Sequence, residues 1–170
     1  IRRGIALTPV KFGISFNTTF LNQAGALVHV YTDGSVHLNH GGTEMGQGLN
    51  TKVAQVVAHE FQVDFDAVKI TATTTGKVPN TSATAASSGT DLNGMAAQAA
   101  ARTIKERMRI HLAEQHQCAP DSVTFSNGKV RAGSAVMSFA EAVKSCYLGR
   151  VSLSATGFYA TPKIHWDKQR

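Results

Sequence analysis

The sequence predicts an α+β fold: a mixed β-sheet with β-α-β-like units and helices packed on one face. Three observations predict it. Asp33-Gly34 stands between two β-like runs, a strong hairpin signal. Two apolar stripes repeat at helical spacing, Leu49, Val53, Val56, Val57, Phe61 and then Leu92, Met95, Ala96, Ala99, Ile104, Met108, Leu112. Each stripe is followed by an acidic turn and a β-like run, Asp66-Ala67-Val68-Lys69-Ile70 and Asp121-Ser122-Val123-Thr124-Phe125. This echo suggests two similar units on one sheet and is too short for a true repeat.

In chain order, residues 10–16 read as a strand with Phe12, Ile14 and Phe16 on one face. Residues 17–25 are small and polar, an irregular crossing. The hairpin strands fall at 26–31 and 35–39. The first helix is expected over 47–61, the next strand over 67–73, and a loop with Pro79 over 74–82. The second helix spans 91–114, its alanines allowing close packing. Asn127-Gly128 joins short strands at 123–125 and 129–131, a second hairpin. Ser138-Phe139-Ala140-Glu141 is a capping-box pattern. It opens a short helix with Phe139, Val143 and Tyr147 inward, before a last extended stretch over 151–159.

The chain has 170 residues, 42% of them hydrophobic, enough for one domain with a core. The net charge of +6 is dispersed except along residues 102–109. A solvated helix face accounts for that run, and nucleic acid is not an expected partner. Cys118 and Cys146 have no CxxC spacing, so a reducing, cytoplasmic setting is expected rather than a disulfide framework. No stretch has the length of a membrane span, and no signal peptide is visible. The chain opens on Ile1 without a methionine, and residues 1–170 read as a single, partial domain of a larger polypeptide.

Function is carried by two small-residue loops, each running into a helix: 40–48, His-Gly-Gly-Thr-Glu-Met-Gly-Gln-Gly, and 84–91, Thr-Ala-Ala-Ser-Ser-Gly-Thr-Asp. Small residues let backbone N–H groups approach a ligand, and a helix start adds free N–H groups and partial positive charge. Together they suggest a cradle for an anionic, phosphate-bearing cofactor. Neither loop is a Walker or GxGxxG motif. A chain-reversing turn and a plain N-cap on Thr90 or Asp91 are the alternatives. Gln47 offers an amide to a phosphate or a heterocycle edge. Glu44 is either a general base or a backbone-bonded loop anchor. His29, His37 and His40 gather on the hairpin, but no HExxH or Cys/His knuckle accompanies them, so solvent-facing histidines are expected rather than a protein-ligated metal. Phe16, Leu21 and Ala86 are candidates for an apolar slot, with ordinary core the alternative for Phe16.

Residues 11–16, 20–36, 40–48, 78–80, 84–87 and 150–159, read collinearly, resemble the molybdenum-binding part of the xanthine dehydrogenase, xanthine oxidase and aldehyde oxidase family. The xanthine dehydrogenase branch is the nearer match. The similarity covers most of 11–162 and weakens over 107–145. It implies a molybdenum–molybdopterin cofactor with no side-chain ligand to the metal. It assigns Met45, Gly46 and Gln47 to the cofactor and Thr84, Ser87, Ser88, Gly89 and Thr90 to its phosphate-bearing end. Phe16, Leu21 and Ala86 would meet a flat heterocyclic substrate, a purine. Asn17 stands where threonine is common, and Ser88-Gly89 departs from the usual wording. The family's Gly-Glu-Pro-Pro segment with its catalytic glutamate is absent, as is its Gly-Gly-Phe-Gly-Gly loop. No catalytic residue is therefore expected here, and the piece alone is expected to be inactive. Implied partners are the remaining segments of the molybdenum domain, an iron–sulfur/FAD portion and a second copy of the whole enzyme. The alternatives are an aldehyde oxidase-type hydroxylase and a non-catalytic anion-binding or assembly domain.

Overall fold

A computed structural model describes residues 2–10 and 13–169. Among the described residues seven strands and three α-helices form the fold, in the order β1 (Gln23–Val30), β2 (Val36–His40), α1 (Leu49–Phe61), β3 (Val68–Ile70), α2 (Gly89–Gln115), β4 (Thr124–Ser126), β5 (Lys129–Ala132), β6 (Ala135–Ser138), α3 (Phe139–Leu148) and β7 (Ser154–Ala160). The main sheet has the order β3-β2-β1-β7. It is mixed, as expected: β1 pairs antiparallel with β2 and β7, whereas β2 and β3 run parallel across the α1 crossover.

The hairpin forms where the sequence places it. Tyr31 N–H reaches the Ser35 carbonyl, Gly34 takes a φ of 86°, and Asp33 accepts from the Ser35 backbone and hydroxyl. Alternation then sends Ala24, Ala26, Val28 and Val30 of β1, with Val36 and Leu38 of β2, to the helices. They meet Val53, Val57, Ile104 and Met108, all fully buried. Burying each of these larger side chains contributes about 2 kcal/mol. α2 is covered on two sides, by the sheet and by α1. Its buried set is therefore wider than one stripe and includes Ala97, Ala100 and Ala101. Met95 lies on the remaining side and is exposed, contrary to expectation.

Two further expectations are corrected. The strand after α2 does not rejoin the main sheet: β4, β5 and the unforeseen β6 make a separate antiparallel sheet. The echo itself is real, since each helix is followed by a 3-10 turn and a strand. β7 already occupies the β1 edge, so the second unit pairs locally instead. Phe139 docks this sheet on α1, its ring 5.6 Å from Phe61 and 6.4 Å from Phe125. Residues 10 and 13–16 are irregular rather than a strand, with Val10 and Ile14 exposed. Ser15, at a φ of 86°, turns the chain out of an extended path. Lys11 and Phe12, part of the same expectation, lie outside the described residues.

The capping box on α3 is present in full. Phe139, Ala142, Val143 and Cys146 face inward at helical spacing, which turns Tyr147 outward, against expectation. Both cysteines are free thiols. Burial pushes the Cys146 thiol up to about 12. Under alkylation at pH 8 the folded protein is expected to lose the Cys118 thiol and keep Cys146, as read by intact mass and peptide mapping. Equal labelling of both would contradict this burial. Among the described residues no helix is long and apolar enough to cross a membrane.

The basic run on α2 serves the packing. Arg102 and Lys105 converge on Glu60 of α1 at 3.2 and 3.3 Å. Arg107 donates to the Ser152 and Ser154 carbonyls, and Arg109 to those of Asp121 and Val123. These cations thus bind the protein's own backbone carbonyls and the Glu60 carboxylate.

Candidate functional site

The two small-residue loops meet. Thr43 N–H donates to Thr84 Oγ1 at 2.8 Å, tying the first loop to the second. Leu49, fully buried, lies under both. A Cβ on Gly42 would collide with Leu49 and Asn93, and one on Gly89 would touch Leu49 at 3.6 Å. At Gly42, glycine is therefore needed for close approach. Above this floor lies a cleft of about 360 Å³ lined by Met45, Gln47, Leu49, Lys52, Thr84, Ala85, Ser87, Gly89 and Thr90.

The helices α1 and α2 both begin at this cleft, but their N-termini differ. The α1 end is occupied. Glu44 accepts from the backbone N–H groups of Gly46 (3.0 Å), Gly48 (2.9 Å) and Asn50 (2.9 Å). The Asn50 N–H foremost, with those of Gly48 and Gly46, holds its carboxyl below the usual carboxylate range. Of the two readings for Glu44, this geometry selects the loop anchor. Gln47 is also committed: its Oε1 accepts from Met45 N–H at 2.6 Å, and its Nε2 donates to the Thr43 carbonyl at 2.9 Å. The amide read as a free ligand group thus stiffens its own loop.

The α2 end is open. Its N-cap residue is Ser88, not Thr90 or Asp91, and it makes no side-chain cap bond. The Ser88 hydroxyl turns back to the Ala85 carbonyl at 3.1 Å. Ala86 and Ser87 sit at φ values of 56° and 55°, left-handed geometry that turns the chain sharply just before the helix. Gly89 and Thr90, in the first turn of α2, line the cleft, and a helix start carries free N–H groups and partial positive charge. Asp91 is absent from the lining, which removes the objection that its carboxylate would repel an anion. Lys52 completes the cleft. It lies in the first turn of α1, where a long helical side chain leans toward the N-terminus. The sequence reading missed it, although it is the one cation in that turn.

Six of the residues picked out from sequence, Met45, Gln47, Thr84, Ser87, Gly89 and Thr90, line the cleft together. Gly46 and Ser88 stand in the same two loops but outside the lining, Gly46 at a φ of 96°. The substrate candidates form a separate neighbourhood. Ser15 N–H donates to the Ala86 carbonyl at 3.0 Å, which brings the segment carrying Phe16 to the second loop. Asn22, 2% exposed, grips that segment, accepting from Phe16 N–H and donating to the Phe16 and Thr19 carbonyls. Leu21 lies on the short turn between them. Phe16, Leu21 and Ala86 are each partly exposed, and none lines the cleft. Phe16 is therefore not ordinary core.

The histidines separate. His29 and His37 stack across the hairpin on the outer face, ring centroids 6.0 Å apart. His40 falls on the opposite parity, with Val36 and Leu38, and is buried at 2% exposure. The expectation that it faces solvent is corrected by that alternation. Among the described residues no three His, Cys, Asp or Glu side chains gather as a metal site.

The model of the molybdopterin cofactor-binding domain family matches residues 1–170. A xanthine dehydrogenase of Oryza sativa subsp. japonica is 49% identical over 166 residues, 98% of this chain and 11% of that protein. A xanthine dehydrogenase/oxidase of Felis catus shows the same 49% over 166 residues, again 98% against 11%. The chain thus spans about a tenth of the length of the curated relatives it matches. Among solved structures, quinoline 2-oxidoreductase from Pseudomonas putida 86 superposes with a TM-score of 0.74 at 25% identity, over 82% of this chain and 19% of that one. CO dehydrogenase from Oligotropha carboxidovorans gives a TM-score of 0.74 at 23% identity over 84% of this chain and 19% of that one, a likeness of fold.

Proposed function

The chain belongs to the molybdopterin cofactor-binding domain family, and from that premise we propose that it is the part of a xanthine dehydrogenase-type molybdenum hydroxylase that positions the cofactor and a purine substrate. The observation that carries the proposal is the cleft in which the uncapped start of α2 and Lys52 face the Met45–Gln47 loop. The residues present fit the group. An uncapped helix start and one lysine suit a phosphate ester. The exposed Met45 side chain and the amide and hydroxyl groups of the lining suit a flat pterin.

In this reading Thr84, Ser87, Gly89 and Thr90 hold the phosphate-bearing end through backbone N–H groups and hydroxyls, while Ser88, whose N–H and hydroxyl both turn to the Ala85 carbonyl, serves that end by shaping the loop. Met45, Gly46 and Gln47 present a loop stiffened before the cofactor arrives, which lowers the ordering cost of binding. Phe16, Leu21 and Ala86 form the surface on which the heterocycle packs. The bound cofactor supplies the molybdenum that carries out the two-electron oxidation. This chain contributes orientation, and the general-base glutamate comes from another part of the enzyme, so the piece alone is inactive. We assign 1–170 to one partial domain of a longer, cytoplasmic enzyme. Its partners are the remaining molybdenum-domain segments, an iron–sulfur/FAD portion and a second copy of the enzyme.

The test is made on the parent protein produced in a host able to make and insert the cofactor. Molybdenum and pterin at near-equimolar content, with purine oxidation, are expected. A well-folded parent with neither molybdenum nor pterin overturns the reading in favour of a non-catalytic anion-binding domain. A loaded enzyme that oxidises aldehydes and no purine overturns the substrate assignment.

A further inference from the structure

We propose that His40 is the positioning residue of the cofactor loop, and that it holds the loop in shape only as the neutral ring protonated on Nε2. The proposal rests on the reading of the cleft as the cofactor site. His40 is the last residue of β2, immediately before the glycine loop. Its Nδ1 accepts the Gly42 N–H at 3.1 Å. An imidazole nitrogen that accepts a hydrogen bond carries no proton, so the neutral ring has its proton on Nε2. The same two residues are clamped from the other side, where the Thr73 hydroxyl is shared between the His40 and Gly42 carbonyls at 3.1 and 3.3 Å. Gly42 in turn is pressed against Leu49 and Asn93. The imidazole–amide bond and the Thr73 clamp together thus fix the direction in which the loop that carries Glu44, Met45 and Gln47 leaves β2.

The ring is deeply buried. Its Nε2 makes no close hydrogen bond, and the Asn50 side chain is the polar group beside it. Protonation would place an N–H on Nδ1 directly against the Gly42 N–H, turning the bond into a repulsion between two donors. Burial holds the ring below its ordinary pKa, against the opposing pull of the Asn50 side chain and the Glu44 charge. Among the described residues Glu44 is the charged group that acts on it. His37 of β2 and Lys52, His59 and Glu60 of α1 exert no such pull on it. A group whose folded pKa lies below its unfolded one gives its stabilisation in full above the unfolded value. That stabilisation fades as the pH falls below about 6.5 toward the folded pKa. The loop is expected to loosen in that direction, with the rest of the fold intact.

Two amides separate positioning from mere filling. Asparagine can set its Oδ1 where Nδ1 stands, whereas glutamine extends its polar atoms toward the Nε2 position. In the parent enzyme at pH 7, peptides covering 41–48 are expected to exchange their amide hydrogens slowly in wild type and in His40→Asn. In His40→Gln they are expected to exchange at least tenfold faster. Pterin content, read by fluorescence after oxidation, is expected to follow the same order. Between pH 7 and 5, exchange corrected for its intrinsic rate should accelerate over 41–48 in wild type but not in His40→Asn, with far-UV circular dichroism unchanged. The wild-type profile needs no variant to fold. Equal behaviour of His40→Asn and His40→Gln, or a wild-type loop indifferent to pH, overturns the proposal. Exchange results as expected in a parent without pterin would sink the cofactor reading and leave the role of His40 standing. Bound pterin with exchange indifferent to residue 40 would do the reverse.

Discussion

Gly157→Ala is expected to destabilise the fold by about 3 kcal/mol, the upper part of the range for forcing extra volume into a packed interior. Gly157 lies in the middle of β7, where the strand crosses α2. A Cβ there would overlap the backbone carbonyl of Ala96 and come within 2.6 Å of the Ala100 nitrogen. Both obstacles are main chain in a helix, so neither can rotate away as a side chain would. The strand or the helix must shift, and each is tied on its other side. β7 is paired to β1 from Gln23↔Ala160 to His29↔Ser154, and α2 is packed on α1 with its alanines buried. Gly76→Ala is the control, since a Cβ there meets nothing within 4 Å. The control is expected to be neutral or to stabilise by about 0.5 kcal/mol through the unfolded chain. Thermal unfolding should separate the two by roughly 6–12 °C for a domain of this size. A Gly157→Ala protein that melts with wild type would mean that β7 and α2 are not in this close register.

The same contact shows why part of this fold was legible in sequence and part was not. The hairpin at Asp33-Gly34, the capping box at Ser138 and the two long helices each follow from residues within one turn of one another. Local chemistry decides them. The edge at which β7 docks, and the separate sheet of β4, β5 and β6, depend on pairings between distant segments that no local pattern encodes. Met95 and Tyr147 turned out exposed because the buried face of a helix is set by how many neighbours it has, which periodicity alone does not tell. At the site, the small residues of both loops marked the cleft. Lys52 did not stand out, because a lone lysine on an amphipathic helix looks like any solvated cation. His40 was legible in principle: its parity with Val36 and Leu38 already placed it inside.

Thr90→Asp is expected to lower cofactor content by a hundredfold or more in the parent enzyme while leaving thermal stability unchanged or slightly raised. The two effects have opposite signs for one reason. Thr90 is the second residue of α2, in the open N-terminal turn that has no side-chain cap. A carboxylate there meets free N–H groups and the positive end of a long helix, which stabilises the helix by about 0.3–1 kcal/mol. That is the position proposed for the phosphate-bearing end of the cofactor, so the new charge takes the phosphate's hydrogen bonds and repels it. The hundredfold loss corresponds to about 2.8 kcal/mol, within reach of two or three charge-assisted hydrogen bonds. α1 already shows the outcome of such a substitution, because Glu44 occupies its N-terminus and satisfies it internally. One helix start is closed by a carboxylate, and the other is left to water or to an anion from outside. Pterin and molybdenum assays beside a melting curve check this. A Thr90→Asp enzyme that keeps its full cofactor would remove the α2 start from the binding site. A variant that loses cofactor only together with its fold would show that Thr90 acts through stability instead.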